Sequence, residues 1–232
     1  MMEKTISFLI DVIDKYYHQK KIFKFLKDFD IKIILDVGAH KGEFLQSIKK
    51  IINFEKIYSF EPQKKIYKKL NLLSIENKIF CLNLALSNDN AIKNLKINKK
   101  SSTSTFSEIN NLSLWYKIKS FILRGSTETS FIDEEKVNVI KLDDFCDDYK
   151  ISNIDLLKID TEGHEKQVLE GALNLIKEKK IKYILLEFHL SNMYSNYSVN
   201  DLEKFLDNYN FKLLIKYKFP FIPIEDRIYS LV

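Results

Sequence analysis

Short apolar segments that alternate with amphipathic helices constrain the fold of this chain more than any other feature. The apolar runs predict strands at residues 31–36, 56–60, 79–82, 154–159 and 183–186. Between and after them, apolar side chains recur at helical spacing in residues 43–52, 63–74, 165–177 and 198–209. Strands that alternate with helices form parallel βαβ units, and helices then cover both faces of the sheet. The sequence therefore predicts an α/β fold with a doubly wound, mostly parallel sheet of the Rossmann-like type.

The two ends of the chain depart from this alternation. Residues 6–29 predict an N-terminal helix, because Ile6, Leu9 and Ile13 fall on one face at helical spacing. Residues 211–215 and 227–232 predict a terminal hairpin. We therefore expect an antiparallel pair of strands at the end of the sheet.

The length of 232 residues suits a single large domain. The chain has only 5 glycines and 3 prolines, which leaves little room for flexible linkers. We expect a helical extension at residues 1–30 and one domain at residues 31–232. The stretch at about 88–136 breaks the alternation and is interpreted as an insertion, part hairpin and part mobile loop. With residues 101–105, Trp115 and Tyr116, it is our candidate for a lid.

Charge and cysteine content narrow the class of protein. The 37 basic and 32 acidic residues give a net charge of +5, which indicates a mildly basic surface. Nucleic-acid binding calls for a stronger, clustered excess, so we expect no nucleic-acid partner. Cys81 and Cys146 lack metal-ligand spacing and suit a reducing cytoplasm. No apolar run approaches the roughly 18 residues of a membrane span. A cytoplasmic protein that is peripherally associated with the inner membrane stays an open alternative.

Polar residues stand where the predicted strands end. In an open parallel sheet, ligands bind just outside the carboxyl ends of the strands. The residues at these positions are Asp36, Glu61, Asn83, Asp160, Glu187 and His189. Each of them alone is compatible with a helix cap, but the six together predict one shared binding cleft.

The segment Asp36-Val-Gly-Ala-His-Lys-Gly42 joins the first strand to its helix. Glycines in such a turn let a ligand approach the backbone, and the helix N-terminus favours an anion. The segment is not a dinucleotide motif, because Ala39 and His40 occupy the position of the second glycine, and it is not a P-loop. A ligand with a carboxylate and no pyrophosphate fits better, and S-adenosyl-L-methionine is such a ligand. We expect Asp36, Gly38, Ala39, His40 and Gly42 to bind it.

Two further strand ends suit the other parts of this cofactor. Glu61, with Pro62 beside it, ends the second strand, where a carboxylate can accept hydrogen bonds from both ribose hydroxyls. Asn83 ends the third strand, where an amide can read the edge of the adenine. Asp36 and Asp160 are the two candidates for holding the ammonium group of the methionine moiety.

Several segments together make the chain resemble the FkbM family of methyltransferases. The matching segments are Asp36-Val-Gly-Ala-His-Lys-Gly42, Phe60-Glu-Pro62, Asn83-Leu-Ala-Leu-Ser87, Leu142-Asp143, Leu157-Lys-Ile-Asp-Thr-Glu-Gly-His-Glu165, Val168-Leu-Glu-Gly-Ala172 and Glu187-Phe-His189. The family commonly has asparagine where this chain has His40. The resemblance implies S-adenosylmethionine-dependent methylation of hydroxyls on natural products or on sugars, including sugars of bacterial surface glycans.

Methyl transfer to an alcohol calls for a base, because an aliphatic hydroxyl is a poor nucleophile. The candidates beside the cleft are His189, Asp160, Glu162, Glu187 and His164. We favour His189, oriented by Glu187 or Asp160, because a neutral imidazole titrates near working pH. The alternative is a divalent metal held by the same carboxylates and His189. We favour it less, because carboxylates at strand ends need no metal.

The expected acceptor is a sugar, either nucleotide-linked or in a capsule or lipopolysaccharide precursor. Lysine and arginine residues of the insertion would meet the phosphates of a sugar nucleotide. A non-sugar natural product is the first alternative to a sugar. The second alternative is that the protein is a nicotinamide-dependent oxidoreductase, although its glycine loop, Asp36 to Gly42, does not suit that cofactor. Methylation of base amines is disfavoured, because the fourth strand ends in Asp160-Thr-Glu-Gly163 rather than in Asn or Asp followed by two prolines and an aromatic. Polar residues at every strand end disfavour a non-catalytic binding module.

Overall fold

The computed structural model describes residues 19–98, 103–118, 131–220 and 222–232, which form two sheets with surrounding helices. The strands are β1 Ile33–Val37, β2 Lys56–Phe60, β3 Ile79–Leu82, β4 Ala85–Leu86, β5 Ala91–Asn98, β6 Phe131–Ile140, β7 Ile154–Ile159, β8 Ile181–His189, β9 Phe211–Lys218 and β10 Ile224–Leu231. Seven of them form the larger sheet, in the order β3-β2-β1-β7-β8-β10-β9. The other three form a smaller sheet, in the order β4-β6-β5.

The larger sheet is parallel except at its last two strands. β1 pairs in parallel with β2 and β7, and these strands pair in parallel with β3 and β8. β10 runs antiparallel to both β8 and β9. The predicted mostly parallel sheet with an antiparallel terminal hairpin is thus confirmed. The chain order reverses at the β1–β7 junction, and ligands bind at such switch points of α/β sheets.

Helices cover both faces of the larger sheet. They are α1 Gln19–Leu26, α2 Glu43–Ile48, α3 Lys64–Leu70, α4 Leu142–Asp148, α5 Glu165–Glu170, α6 Leu173–Lys177 and α7 Val199–Asn208. Neighbouring residues of a strand point to opposite faces. Accordingly, Leu35 and Leu157 join the apolar cluster of α4 to α7, whereas Ile34 and Leu156 join the cluster of α1 to α3. The sheet is therefore doubly wound, as the sequence predicts.

Long-range contacts shorten some helices relative to their periodicity. Residues 165–177 form two helices, α5 and α6, which are separated at Gly171 and Ala172. A Cβ atom on Gly171 would lie 2.0 Å from the carbonyl oxygen of Ser87. The backbone of Gly171 therefore packs directly on the segment that follows β4, a contact that helical spacing does not reveal.

The N-terminal helix is described from Gln19 onwards. Ile22, Phe23 and Leu26 of α1 are buried in the same cluster as α2. The rings of Phe23 and Phe44 lie 5.4 Å apart. Residues 6–18 of the predicted helix lie outside the described residues.

The predicted insertion contributes most of the smaller sheet and a segment that packs beside the larger one. β5 and β6 pair antiparallel, and β6 continues to Ile140. Trp115 and Tyr116 pack with Met193 and Tyr194 from the segment after β8. Residues 99–102 and 119–130, which include part of the predicted lid and mobile loop, lie outside the described residues. Among the helices that are described, none has the length and apolar character needed to cross a bilayer.

Candidate functional site

The loops that follow the parallel strands lie in a row along one edge of the larger sheet. In spatial order, the row holds Asn83 after β3, Glu61 after β2, residues 38–42 after β1, Asp160 and Glu162 after β7, and His189 at the end of β8. Neighbouring strands are about 4.8 Å apart, so the row from β3 to β8 spans about 19 Å. The fold thus brings the predicted residues to one edge, in a row long enough for an extended ligand.

Gly38 turns the chain at the end of β1, directly beside the loop after β7. Its φ of +81° lies in the left-handed region, and a Cβ atom there would lie 1.9 Å from the carbonyl oxygen of Asp160. The amide of Asp160 in turn donates to the carbonyl of Val37. Two main-chain segments therefore meet at Gly38, and their contact alone requires glycine at this position.

His40 also adopts a left-handed conformation, with a φ of +49°. Asparagine and histidine are among the non-glycine residues most often found in this conformation. The asparagine common in the resembling family and the histidine of this chain therefore satisfy the same backbone requirement. The amide of His40 donates to Oε2 of Glu61 at 3.0 Å, and its Nδ1 lies 3.1 Å from Oε1 of Glu43. The main chain of His40 thus faces Glu61, while its ring contacts α2.

Glu61 ties the loops after β1 and β2 together. One carboxylate oxygen accepts from the amide of His40, and the other accepts from the amide of Gln63 at 2.8 Å. The side-chain amide of Asn83 donates to the carbonyl oxygens of Glu61 and Pro62 at 3.0 and 2.7 Å. Burial raises the pKa of Glu61 to about 7, against the smaller opposing effects of the Gln63 amide and of His40. Glu61 therefore changes its charge near neutral pH.

Lys158 is a residue of this site that sequence reasoning missed. It is the cross-strand partner of Asp36, and its Nζ lies 3.1 Å from Asp36 and 3.4 Å from Asp160. Burial lowers the pKa of Lys158, but the two carboxylates outweigh it and raise the pKa overall. The Asp36 side chain is fully enclosed, whereas 36% of the Asp160 side chain is exposed. Of the two predicted ammonium partners, Asp160 is therefore the accessible one.

Three of the four predicted catalytic side chains meet at the ends of β7 and β8. Nε2 of His189 lies 3.4 Å from Oε1 of Glu187 and 3.9 Å from Oε2 of Glu162. His189 is 2% exposed, whereas 20% of the Glu187 side chain is exposed. Burial, followed by the charges of Asp160 and Asp226, raises the pKa of Glu187 well above its usual range. A carboxyl with a high proton affinity thus lies beside a buried imidazole.

The loop after β7 is held from two sides. Glu165 is fully buried, and its Oε1 accepts from the amide of Gly163. From the predicted insertion, Thr105 and Ser107 donate hydroxyl hydrogen bonds of 2.6 and 2.7 Å to the carbonyl oxygens of Glu162 and Gly163. Glu162 itself has a φ of +53°. Thr105 and Ser107 therefore fix the backbone that carries one of the candidate catalytic residues.

His164, the remaining candidate base, has different partners. Its Nε2 lies 3.0 Å from Oγ of Ser87, and its ring packs against Phe106. Burial, with a smaller effect of Lys93, lowers the pKa of His164 to about 4, so the ring is neutral near pH 7. Within the described ranges, no three His, Cys, Asp or Glu side chains are grouped so that they could hold a metal ion.

Known proteins resemble the chain in sequence and in fold. The family model of the methyltransferase FkbM domain matches residues 36–213. Among solved structures, a methyltransferase FkbM from Methylobacillus flagellatus KT has a TM-score of 0.53 and 16% identity, over 87% of this chain and 43% of that one. An rRNA methylase from Streptococcus thermophilus has a TM-score of 0.50 and 12% identity, over 91% of this chain and 95% of that one. No curated protein matches the chain significantly.

These comparisons differ in what they establish. The two structural likenesses show the fold alone, and the chain spans less than half the length of the Methylobacillus protein. The family match covers more than half of the chain, and it includes the glycine loop, Glu61, Asn83, the loop after β7 and His189. The chain therefore belongs to the FkbM methyltransferase family.

Proposed function

We propose that this protein transfers the methyl group of S-adenosylmethionine to a hydroxyl of a sugar, in a nucleotide-linked sugar or a precursor of a surface glycan. The observation that carries the proposal is the contact between His189 and Glu187 at the cleft edge of β8. A hydroxyl must lose its proton during transfer, and this pair supplies a proton acceptor. The choice of a sugar rests on the family resemblance.

The row of loops supports one orientation of the cofactor. We place the ribose hydroxyls on the carboxylate of Glu61 and the adenine beside Asn83. The ammonium group then lies at Asp160, because the Asp36 side chain is fully enclosed, whereas 36% of the Asp160 side chain is exposed. In this orientation the adenosine lies over β2 and β3, and the sulfonium methyl points toward the end of β8.

The burial of His189 suggests a two-step path for the proton of the acceptor. Glu187 is the more exposed member of the pair, so we place it next to the acceptor hydroxyl. Glu187 relays the proton: its carboxyl group gives a proton to Nε2 of His189, 3.4 Å away, and takes the proton of the acceptor hydroxyl. The carboxylate of Glu162 on the same nitrogen stabilises the imidazolium that forms.

The affinity for S-adenosylhomocysteine is expected to rise with pH through about 7. Burial raises the pKa of Glu61 to about 7, and its ionised form is the better acceptor for two ribose hydroxyls. Below that pH, binding must release a proton from Glu61, so the affinity falls by up to about tenfold per pH unit. Calorimetric titrations between about pH 5.5 and 8.5, the window that this pKa defines, measure the slope of the binding affinity against pH.

Two variants control for other titrating groups. Glu61→Gln keeps the shape of the side chain but cannot ionise, so its binding should be weaker and independent of pH in this window. His40→Asn removes the nearest imidazole and suits the left-handed backbone, so it should keep the slope. An equal slope in Glu61→Gln would show that another group carries the pH dependence.

The acceptor is tested by methyl-label transfer from S-adenosylmethionine to a panel of sugar nucleotides, free sugars, non-sugar alcohols and RNA. Label on a sugar nucleotide, lost in His189→Ala, is the expected result. Label only on a non-sugar alcohol would support the natural-product alternative. Label on RNA would contradict the proposed absence of a nucleic-acid acceptor.

We also propose a cytoplasmic location for the reaction. Both cysteines, Cys81 and Cys146, are free thiols in the structure. Free thiols are typical of a reducing compartment. Labelling of the protein in intact cells with a thiol reagent that does not cross membranes would contradict this location.

A further inference from the structure

We propose that Tyr194 is a positioning residue that holds Glu162 beside His189, an inference that rests on the proposed role of His189 in accepting the proton. Tyr194 lies in the segment after β8 and is 3% exposed. Its hydroxyl donates a hydrogen bond to Oε2 of Glu162. The same oxygen lies 3.9 Å from Nε2 of His189. One carboxylate oxygen thus faces both the phenol and the imidazole.

The ring of Tyr194 is fixed on several sides. It stands edge-on to the ring of His189, with centroids 5.0 Å apart and an interplanar angle of 81°. A Cβ atom on Gly163 would lie 2.7 Å from it, so the ring packs on the backbone next to Glu162. The backbone of Tyr194 forms an antiparallel bridge with Ile109 of the predicted insertion. The phenol therefore cannot leave Glu162 unless this packing opens.

The electrostatics keep the hydroxyl of Tyr194 protonated, so that it can donate to Glu162. Burial, and then Glu162, raises the pKa of Tyr194 well above its usual range, so the phenol keeps its proton. A donor of this kind disperses the charge of a carboxylate and fixes its geometry. Other charged groups around the cluster include Lys158, Asp160, Glu165, Glu187, Asp226 and Arg227. Tyr194 thus helps to set where the charge of Glu162 lies relative to His189.

Tyr194→Phe tests this role, because it removes the hydroxyl and keeps the ring. With the acceptor identified by label transfer, we expect turnover to fall about tenfold, equivalent to about 1.4 kcal/mol, with unchanged affinity for S-adenosylhomocysteine. In an NMR pH titration, the midpoint of the His189 imidazole signal should move up by about one unit, because the charge of Glu162 is no longer shared with the phenol. Tyr58→Phe is the control. Tyr58 is a buried tyrosine of β2 that packs on Phe80 and Phe145, and its variant should change none of these quantities.

A double variant separates positioning from general structural support. If Tyr194 acts through Glu162, Tyr194→Phe should have no further effect on turnover or on the NMR midpoint in a Glu162→Gln background. Additive losses, or an unchanged midpoint in Tyr194→Phe, would overturn the proposal. The NMR measurement needs no acceptor, so it tests the contact independently of the proposed reaction. Normal turnover in His189→Ala would reject the proposed base. If the His189 midpoint still moved in Tyr194→Phe, the Tyr194–Glu162 contact would stand without that base.

Discussion

Replacement of His189 with alanine is expected to lower turnover about 10²–10⁴-fold, the usual contribution of a general base. His189 is 2% exposed, and its Nε2 lies 3.4 Å from Glu187. It stands at the end of β8, two strands away from the glycine loop after β1. The affinity for S-adenosylhomocysteine should therefore stay within about threefold of the wild-type value, a change of about 0.7 kcal/mol. Label-transfer kinetics and calorimetry on the same preparations measure both quantities.

Further substitutions assign the separate roles of the acidic residues. Glu187→Gln should lose turnover as His189→Ala does, because the proposed proton path includes both groups. Asp160→Asn should instead weaken the binding of S-adenosylhomocysteine, because we place the ammonium group of the cofactor at Asp160. Near-normal turnover in both His189→Ala and Glu187→Gln, with the fold intact by circular dichroism, would contradict the proposed proton acceptor. Inactivity of Glu187→Gln alone would assign the base to Glu187.

Gly38→Ala is expected to destabilise the protein by about 2–6 kcal/mol, from about 1–3 kcal/mol for backbone strain and about 1–3 kcal/mol for overpacking. The strain follows from the φ of +81°, and the overpacking follows from a Cβ atom 1.9 Å from the carbonyl oxygen of Asp160. Neither atom belongs to a flexible side chain, so the β1 and β7 loops must separate. Urea unfolding measures the loss of unfolding free energy. The separation of the loops should also weaken the binding of S-adenosylhomocysteine by any variant protein that folds.

Gly171→Ala is a matched variant for this prediction. Its Cβ atom would lie 2.0 Å from the carbonyl oxygen of Ser87, but Gly171 has an ordinary φ of −72°. Gly171→Ala should therefore lower the free energy of unfolding only by the cost of overpacking, about 1–3 kcal/mol. The affinity for the cofactor should stay unchanged. A Gly38→Ala protein as stable as the wild type would show that the two loops are not held together as described.

The parts of the fold set by local pattern were predictable from the sequence. The strands at residues 56–60, 79–82 and 154–159 have the predicted bounds, because their apolar runs end at polar residues. The break between α5 and α6 was not predictable, because it arises where Gly171 meets Ser87 across a long separation in the chain. The strand β4 and the helix α4 are short and lack a clear period, and the sequence did not predict them.

The candidate site shows the same division. Residues at strand ends were found because a parallel sheet aligns them, although their roles stay predictions. Lys158 was missed because it lies inside a strand, and only the cross-strand register with Asp36 reveals its position. Tyr194 was missed because its link to Glu162 depends on how the segment after β8 packs against the insertion. The left-handed conformation of His40 was indicated in advance only by the asparagine that the family commonly has at this position.

A crystal structure of the complex with S-adenosylhomocysteine would show how the strand-end residues hold the cofactor. We expect both ribose hydroxyls on the carboxylate of Glu61, the amino group at Asp160, and the sulfur facing the Glu187–His189 pair. A ligand in the same cleft with its ribose away from Glu61, or with its sulfur directed away from β8, would contradict the assignment of these residues.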